Sequence, residues 1–225
     1  SSVRNVQGNL SPTCAAYIAE RDAEENPWAN LVVSDIPTTE QQRTCTAKQL
    51  TDKIHKNQVF LRIAQGTQNR ICGGVFLKSG LLLMPRHMWY KDAKKTNAIE
   101  KELSVRITRS AHVNTGSFFS AYFSEAYSYH IPDTDFVLVW VPNSGSYADI
   151  TKYLPVDGVK SGICSMVFRN KDGQRVDANA HINVGMTGHS QCHFLGATYH
   201  LSIPTFKGLC MATFVTRSLA KVIAG

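Results

Sequence analysis

From Asn57 onward the chain consists of short apolar segments separated by turn residues. Each segment is rich in Val, Ile, Phe, Tyr and Thr and is closed by Gly, Pro, Asn or Asp, a pattern typical of β-strands. The first six predicted strands are NQVFLRIAQ, RICGGVFLKSG, LLLMPRH, LSVRITRS, SFFSAYFSEAYSYH and DFVLVWVP. After a polar connection, five more are predicted in SGICSMVFRN, QRVDANAHINV, CHFLGATYHLSI, LCMATFV and LAKVIA.

Regularly spaced strands without a long amphipathic helix predict an all-β fold of two antiparallel units and argue against a doubly wound α/β enzyme. In the N-terminal part, Ser11 before Pro12 has the pattern of a helix start. The predicted organisation is a partly helical N-terminal extension at 1–56, a first β-barrel at 57–142, a connection with a short helical turn at 143–158, and a second β-barrel at 159–225.

Composition and terminal patterns limit the classes of protein further. The 225 residues are 43% hydrophobic, which is enough for a packed core. Apolar runs such as GGVFLKSGLLLM are interrupted by Lys or Gly well before the roughly 18 residues that cross a bilayer, so we predict no transmembrane segment. The N-terminus lacks a signal-peptide pattern. Because it begins with Ser, we expect a chain cut from a longer one or lacking its start.

Charge and cysteine content give weaker indications. The formal net charge is +7, but the basic residues are scattered, so contact with nucleic acid is only weakly indicated. The irregular spacing of the cysteines does not indicate a disulfide scaffold, and we predict reduced thiols. There are six of them, at Cys14, Cys45, Cys72, Cys164, Cys192 and Cys210.

Three residues are candidates for nucleophilic catalysis. Cys210 follows Gly208 in a segment whose backbone N–H groups could stabilise an oxyanion. His87 follows an apolar strand, where it could act as a base, and Asp135 opens the strand DFVLVWVP, where it could orient a histidine. Each also has a structural alternative, since a cysteine is more often packed, a histidine can lie on the surface, and an aspartate can cap a turn.

Together these stretches resemble the 3C-like cysteine proteases of picornaviruses and picorna-like viruses. GGVFLKSGLLLMPRHMW is similar to the family's segment ending in T-x-x-H, DFVLVWVP to its acid-bearing strand, and PTFKGLC to its P-T-x-x-G-x-C signature. YADITKYL resembles its interdomain F-R-D-I segment. The resemblance implies a chymotrypsin-like fold of two six-stranded barrels, with His87 as general base, Asp135 as third triad member and Cys210 as nucleophile.

The resemblance also implies a function. It is that of a cysteine endopeptidase that processes a viral polyprotein in the host cell cytoplasm through an acyl-enzyme, with no metal or organic cofactor. The backbone of Gly208, Leu209 and Cys210 would form the oxyanion hole. Thr205, Tyr199 and His200 would line the substrate site, and cleavage-site peptides would be the partners.

The sequence departs from the family at several positions. Met211 stands where the family has Gly after the nucleophile, and Ala148 stands where an Arg is usual, which disfavours RNA binding there. Asp133 and Glu125 remain alternatives to Asp135 as the acid. AKVIAG matches the residues that precede the family's pocket histidine, so we expect that histidine, which would reveal the cleavage specificity, to lie beyond Gly225.

Two other functions remain open from the sequence. The first is a metal site, because the segment GHSQCHFLGATYH brings His189, Cys192, His193 and His200 within twelve residues, although without a repeated zinc-ligand spacing. The second is an RNA-binding module or inactive protease relative, in which Cys210 is packed and SFFSAYFSEAYSYH stacks on bases. For that aromatic segment, the alternation of apolar and polar positions favours a half-buried strand pair.

Overall fold

The computed structural model describes residues 46–65, 68–92, 96–109, 119–132, 134–154, 161–188, 193–201, 209–216 and 223–224. Within these ranges the chain forms one α-helix, fourteen strands and three short 3₁₀ turns. The predicted helix start at Ser11 and Pro12 lies outside the described residues. No helix in the described ranges has the length and apolar character required to cross a membrane.

The helix and strands are named in chain order. Helix α1 spans Ala47–Asn57. The strands are β1 (Gln58–Gln65), β2 (Gln68–Lys78), β3 (Leu81–Pro85), β4 (Tyr90–Asp92), β5 (Thr96–Ile99), β6 (Glu102–Thr108), β7 (Phe119–Ser124), β8 (Ser128–His130), β9 (Phe136–Trp140), β10 (Gly162–Arg169), β11 (Arg175–Gly188), β12 (His193–Leu201), β13 (Thr213–Thr216) and β14 (Ile223–Ala224).

Helix α1 begins at a capping box. The Thr46 hydroxyl accepts a hydrogen bond from the Gln49 backbone N–H, and the Gln49 side chain accepts one from the Thr46 N–H. Such a cap contributes about 1 kcal/mol to helix stability. The helix ends where the backbone becomes extended at Gln58. Its buried face, which includes Leu50 and Ile54, is directed toward the sheets.

Seven strands form the first sheet, in the spatial order β7-β6-β1-β2-β3-β9-β8. All neighbouring pairs are antiparallel. The sheet curls around a core that contains Phe76, Leu82, Met84 and Trp89, each 0% exposed. Strand β6 shows the expected alternation of exposed and buried positions. The alternation in the sequence therefore predicts the buried face of β6 correctly.

The second sheet has the order β12-β11-β10-β13-β14. Its buried cluster includes Met166, Ile182 and Phe214. The predominance of β-strands is confirmed, but two six-stranded barrels are not, because the described strands form sheets of seven, five and two. One cause is the aromatic segment predicted as a single strand. A 3₁₀ turn at Glu125–Tyr127, capped by the Ser124 hydroxyl, divides it into β7 and β8.

Helix α1 lies between the two sheets and ties them together. A shared buried cluster joins helix residues to Val75 of β2 and to Val167 of β10. Asn57, which is 0% exposed, donates from its amide to the carbonyls of Phe76 and Ala148 and accepts from the Ala148 N–H. Since Ala148 belongs to the predicted interdomain connection, this amide fixes the connection against the first sheet.

One predicted strand differs from the structure, and one observed ribbon was not predicted. The segment LCMATFV was predicted to be a strand, but Leu209–Ala212 forms a turn, and β13 starts only at Thr213. The ribbon of β4 and β5 was not predicted, because these short strands lack an apolar alternation. In the connection, the predicted helical turn corresponds to the 3₁₀ turn at Thr151–Tyr153.

Candidate active site

The pairing of β3 with β9 brings His87 and Asp135 together. Pro85 at the end of β3 lies opposite Phe136 at the start of β9, so the next residues on each side meet at the same end of the sheet. The Asp135 carbonyl accepts a hydrogen bond from the Arg86 N–H at 2.8 Å. The Asp135 carboxylate accepts from the His87 backbone N–H at 2.9 Å and contacts His87 Nδ1 at 2.5 Å.

The carboxylate determines the state of the His87 ring. A carboxylate can only accept hydrogen bonds, so Nδ1 must carry a proton and Nε2 is left to exchange one. The hydrogen bond to Asp135 raises the pKa of His87 from its ordinary value of 6.5, burial opposes this, and the charges of Asp135 and Cys210 add to it. Both side chains remain nearly half exposed, so solvent moderates the pair.

Arg70 of β2 holds the turn that carries His87. Its guanidinium donates to the His87 carbonyl at 3.0 Å and to the carbonyls of Tyr90 and Met88 at 3.3 and 3.4 Å. A planar guanidinium can bind several carbonyls of one turn at once. Arg70 therefore fixes the backbone of this turn, a role that was not predicted from the sequence.

Cys210 lies in a β-turn between the two sheets. The Ala212 N–H donates to the Leu209 carbonyl at 3.0 Å, and Met211 has φ of 74°. A left-handed residue at the third turn position, with Cys210 outside that region at the second, is the pattern of a type II turn. Glycine is the residue favoured at that turn position. The conformation therefore accounts for the Gly that the 3C-like proteases, which the sequence resembles, have at the position of Met211.

The first sheet reaches the Cys210 sulfur through Cys72 and Gly73 of β2. The Gly73 backbone N–H donates to Cys210 Sγ at 3.4 Å, and Cys210 packs against the core cluster that contains Cys72. Cys72 is 0% exposed, whereas Cys210 is only partly buried. Neither Cys72 nor Gly73 was among the predicted site residues. Two successive glycines inside a strand were the available signal, because they permit close backbone approach.

These contacts favour the thiolate form of Cys210. The hydrogen bond with Cys72, the Gly73 N–H, the charge of His87 and the Cys210 N–H together lower the pKa of Cys210 to about 6 against the opposing effect of burial, and the Cys72 hydrogen bond contributes most. Burial and the neighbouring Cys210 raise the pKa of Cys72 well above the ordinary value of 9.0. The pKa values of the two thiols therefore differ strongly, and the partly exposed Cys210 is the better candidate for a nucleophile.

Cys210 opens onto a cleft between the sheets. Residues of β1 and β2 line one side, the end of β10 lines the other, and Leu209–Ala212 closes it. Cys210 therefore lies at a cleft that residues of both sheets line.

The structure describes some of the other predicted site residues and not others. Thr205, Gly208 and Asp133 lie outside the described residues, as do His189 and Cys192 of the alternative metal site. Tyr199 and His200 lie on β12, opposite Ile182 and His181, and only their backbone is described, as for His193. Leu209 is buried, and Glu125 lies on the exposed 3₁₀ turn after β7. The oxyanion hole and the substrate residues remain predictions.

The left-handed conformation of Met211 gives a test of the turn. Met211→Gly should be more stable than Met211→Ala by about 1 kcal/mol, because only glycine adopts positive φ without strain. Both substitutions remove the same packing against the cluster between the sheets, so their difference isolates the backbone. Urea denaturation of the two variants measures it.

The matched control is Ala212→Gly, at a residue of the same turn whose φ is not positive. This change should destabilise the protein, since glycine there only adds entropy to the unfolded chain. If Met211→Ala equals or exceeds Met211→Gly in stability, the turn is not of type II.

The sequence matches no family model, and no curated protein matches it. Three similar solved structures are Deg5 (13% identity, TM-score 0.48, 78% of this chain and 79% of that chain), tobacco vein mottling virus protease (12%, 0.47, 78% and 71%) and the MamO protease domain from Magnetospirillum magneticum (12%, 0.45, 77% and 84%). All three TM-scores are below 0.5, so these similarities assign no function to the chain. The curled antiparallel sheet with one helix is itself consistent with a chymotrypsin-like fold.

Proposed function

We propose that the chain is a cysteine peptidase with Cys210 as nucleophile, His87 as acid and base, and Asp135 as the residue that orients His87. One observation carries this proposal. A partly exposed thiol with a lowered pKa lies in a cleft between two sheets, coupled to a histidine whose Nδ1 contacts a carboxylate. A packed structural cysteine needs neither the lowered pKa nor the histidine.

The relative pKa values determine the resting state. The pKa of Cys210 is lowered to about 6, and that of His87 is raised from its ordinary value by the hydrogen bond to Asp135, so both shifts favour a Cys210 thiolate next to a protonated His87. The thiol proton can then be lost to His87 before substrate binds. The predicted role of His87 as the general base that deprotonates Cys210 stays a prediction.

The reaction follows from these positions. The Cys210 thiolate forms a bond to the carbonyl carbon of the peptide, and the carbonyl oxygen becomes an oxyanion. The C–N bond breaks as His87 Nε2 donates its proton to the leaving amine, which leaves a thioester on Cys210. Water, deprotonated by His87, then attacks the thioester, and the Cys210 thiolate leaves as the carboxyl product forms.

The sequence resemblance supports a more specific proposal about substrate and location. The substrate would be an extended segment of a viral polyprotein, bound by backbone hydrogen bonds to strand edges near the cleft, and the enzyme would act in the host cell cytoplasm. The alternative, a non-catalytic RNA-binding module, would have no use for the coupled His87 and Asp135. A salt-sensitive RNA complex without peptidase activity would favour it.

Peptide cleavage tests the proposal directly. The protein is incubated with a peptide library made from a digested proteome, and new termini are mapped by mass spectrometry. We expect recurrent cleavage sites, with activity lost after treatment with iodoacetamide and Cys210 as the residue whose alkylation tracks that loss. Absence of cleavage, or loss of activity that tracks another cysteine, would contradict the assignment.

The pH dependence of alkylation tests the thiolate separately. Because only the thiolate reacts, the rate at Cys210 should rise through pH of about 6 and then remain high, whereas an ordinary thiol has a pKa near 9.0. Cys72→Ala should move the midpoint upward, because it removes the largest lowering contribution. Peptide mapping after brief iodoacetamide treatment measures this, and Cys164→Ala, at another cysteine that is 0% exposed, is the control.

A further inference from the structure

A second thiol lies directly behind the candidate nucleophile, and peptide cleavage gives it no covalent step. The N–H of Gly73, the residue after Cys72, donates to Cys210 Sγ at 3.4 Å, and Cys210 packs against the core cluster that contains Cys72. The largest cause of the lowered pKa of Cys210 is a hydrogen bond with Cys72. These contacts place Cys210 next to Cys72 where the two sheets meet.

We propose that Cys72 and Cys210 form one oxidation site, in which a hydroperoxide converts the two neighbouring thiols into an intramolecular disulfide that blocks the site reversibly. The effect on catalysis rests on the proposed function, because it requires Cys210 to be the nucleophile. Formation of the disulfide rests only on the thiol pair.

The two sulfurs have different surroundings, which give them different roles in the oxidation. Cys210 is partly exposed on the cleft, so a small peroxide can reach it, whereas Cys72 is 0% exposed and is shielded. The lowered pKa of Cys210, due first to the Cys72 hydrogen bond, gives the thiolate that peroxides oxidise. Burial raises the pKa of Cys72, which keeps it a thiol. Cys210 is therefore oxidised first, and Cys72 resolves the product.

The two steps balance. The Cys210 thiolate attacks one oxygen of the hydroperoxide, the O–O bond breaks, and Cys210 becomes a sulfenic acid while the departing alkoxide or hydroxide takes a proton from His87. The Cys72 sulfur then attacks the sulfenic sulfur, and the hydroxide that leaves takes the Cys72 proton to form water. In sum, two thiols are oxidised to a disulfide, and the hydroperoxide is reduced to an alcohol or water.

Closure of the bond requires one sulfur to move. A disulfide has a sulfur separation of about 2 Å, shorter than that of a thiol–thiol hydrogen bond. Cys72 is fixed within β2 by pairs with β1, but Cys210 lies in a turn and is partly exposed. We therefore expect Cys210 to shift toward Cys72, which withdraws its sulfur from the cleft. A later reductant restores both thiols.

The test is oxidation of the whole chain with hydrogen peroxide, followed by digestion and peptide mapping without reductant. The expected product is a linked pair of peptides that contain Cys72 and Cys210, with a mass lower than that of the two free peptides by two hydrogen atoms. Dithiothreitol should separate the pair. Where peptidase activity is present, it should disappear on oxidation and return on reduction.

Variants distinguish resolution by Cys72 from simple oxidation of Cys210. In Cys72→Ala and Cys72→Ser the sulfenic acid has no partner, so we expect progression to the sulfinic acid and no recovery with dithiothreitol. Cys164→Ala should behave as the wild type. The two replacements at Cys72 differ in size and polarity, so a result common to both reflects the loss of the thiol. Peptide mapping of the wild type does not depend on any variant.

Two outcomes would overturn the proposal. In the first, wild-type Cys210 becomes a sulfinic acid with no link to Cys72. In the second, Cys210 links to a different cysteine. A linked Cys72–Cys210 pair in a protein that cleaves no peptide would support the oxidation site and contradict the proposed function, so the two failures are distinguishable.

Discussion

Substitution of Cys210 by Ala is expected to lower kcat for peptide cleavage by about a million-fold, the magnitude typical of loss of a triad nucleophile. Alanine has no group that can attack the carbonyl, and no acyl-enzyme can form. The fold should persist, because Cys210 is partly buried in a turn and contributes no large apolar side chain to the core. Cleavage of a peptide identified from the library measures the loss, and thermal unfolding verifies the fold.

The control for this substitution is Cys164→Ala. Cys164 lies on β10 in the core of the second sheet and is 0% exposed, so its replacement should cost stability without a comparable loss of kcat. Cleavage that persists in Cys210→Ala at wild-type rates would rule out the mechanism. Equal losses in both variants would show that folding, and not chemistry, had been disturbed.

The second large effect is expected from Asp135→Asn, which should lower kcat by about ten-thousand-fold, as the same change does in a serine-protease triad. The asparagine oxygen can still accept from the His87 backbone N–H. Its NH₂ group would face Nδ1, which must then be unprotonated, so the ring proton moves to Nε2. In that tautomer His87 cannot accept a proton there, and the imidazolium loses its carboxylate.

The alkylation rate separates this effect from a collapse of the site. The largest contribution to the low pKa of Cys210 is the hydrogen bond from Cys72, and the charge of His87 contributes less. Asp135→Asn should therefore change kcat far more than it changes iodoacetamide reactivity at neutral pH. If both fall in parallel, the role of Asp135 is structural.

A second His–Asp pair provides a matched control. His55 of α1 contacts Asp177 of β11 at 3.1 Å, but this histidine is almost fully buried, and burial lowers its pKa. Asp177→Asn makes the same chemical change in the same kind of pair. Because Asp177 is 56% exposed and this pair ties helix to sheet, we expect little change in kcat.

The two His–Asp pairs differ in exposure and in their interaction with Cys210, the two properties that the proposed catalysis requires. His87 remains nearly half exposed, and its charge interacts with that of Cys210. His55 has neither property: it is a buried residue of helix α1, and Arg169 donates hydrogen bonds to its carbonyl. Sequence patterns cannot make this distinction, because a His–Asp contact is compatible with both a catalytic and a structural role.

Much of the strand pattern followed from the sequence. The segments with β-branched and aromatic residues became strands β1, β2, β3, β6, β9, β10, β11 and β12 with ends displaced by few residues. Their turns are encoded locally, as at Gly80, which adopts φ of 80° between β2 and β3. Strand number was less predictable, since the division of β7 from β8 depends on one serine cap.

The sequence by itself determined the order of His87, Asp135 and Cys210, the strand that precedes His87, the strand that follows Asp135, and the unusual Met211, because these depend on local pattern and residue type. Only the tertiary structure decided that Cys72 and Gly73 contact the Cys210 sulfur and that Met211 is left-handed. The physical reason is distance along the chain. The proton affinity of Cys210 depends on groups more than a hundred residues away, which only the packing of the two sheets brings into contact.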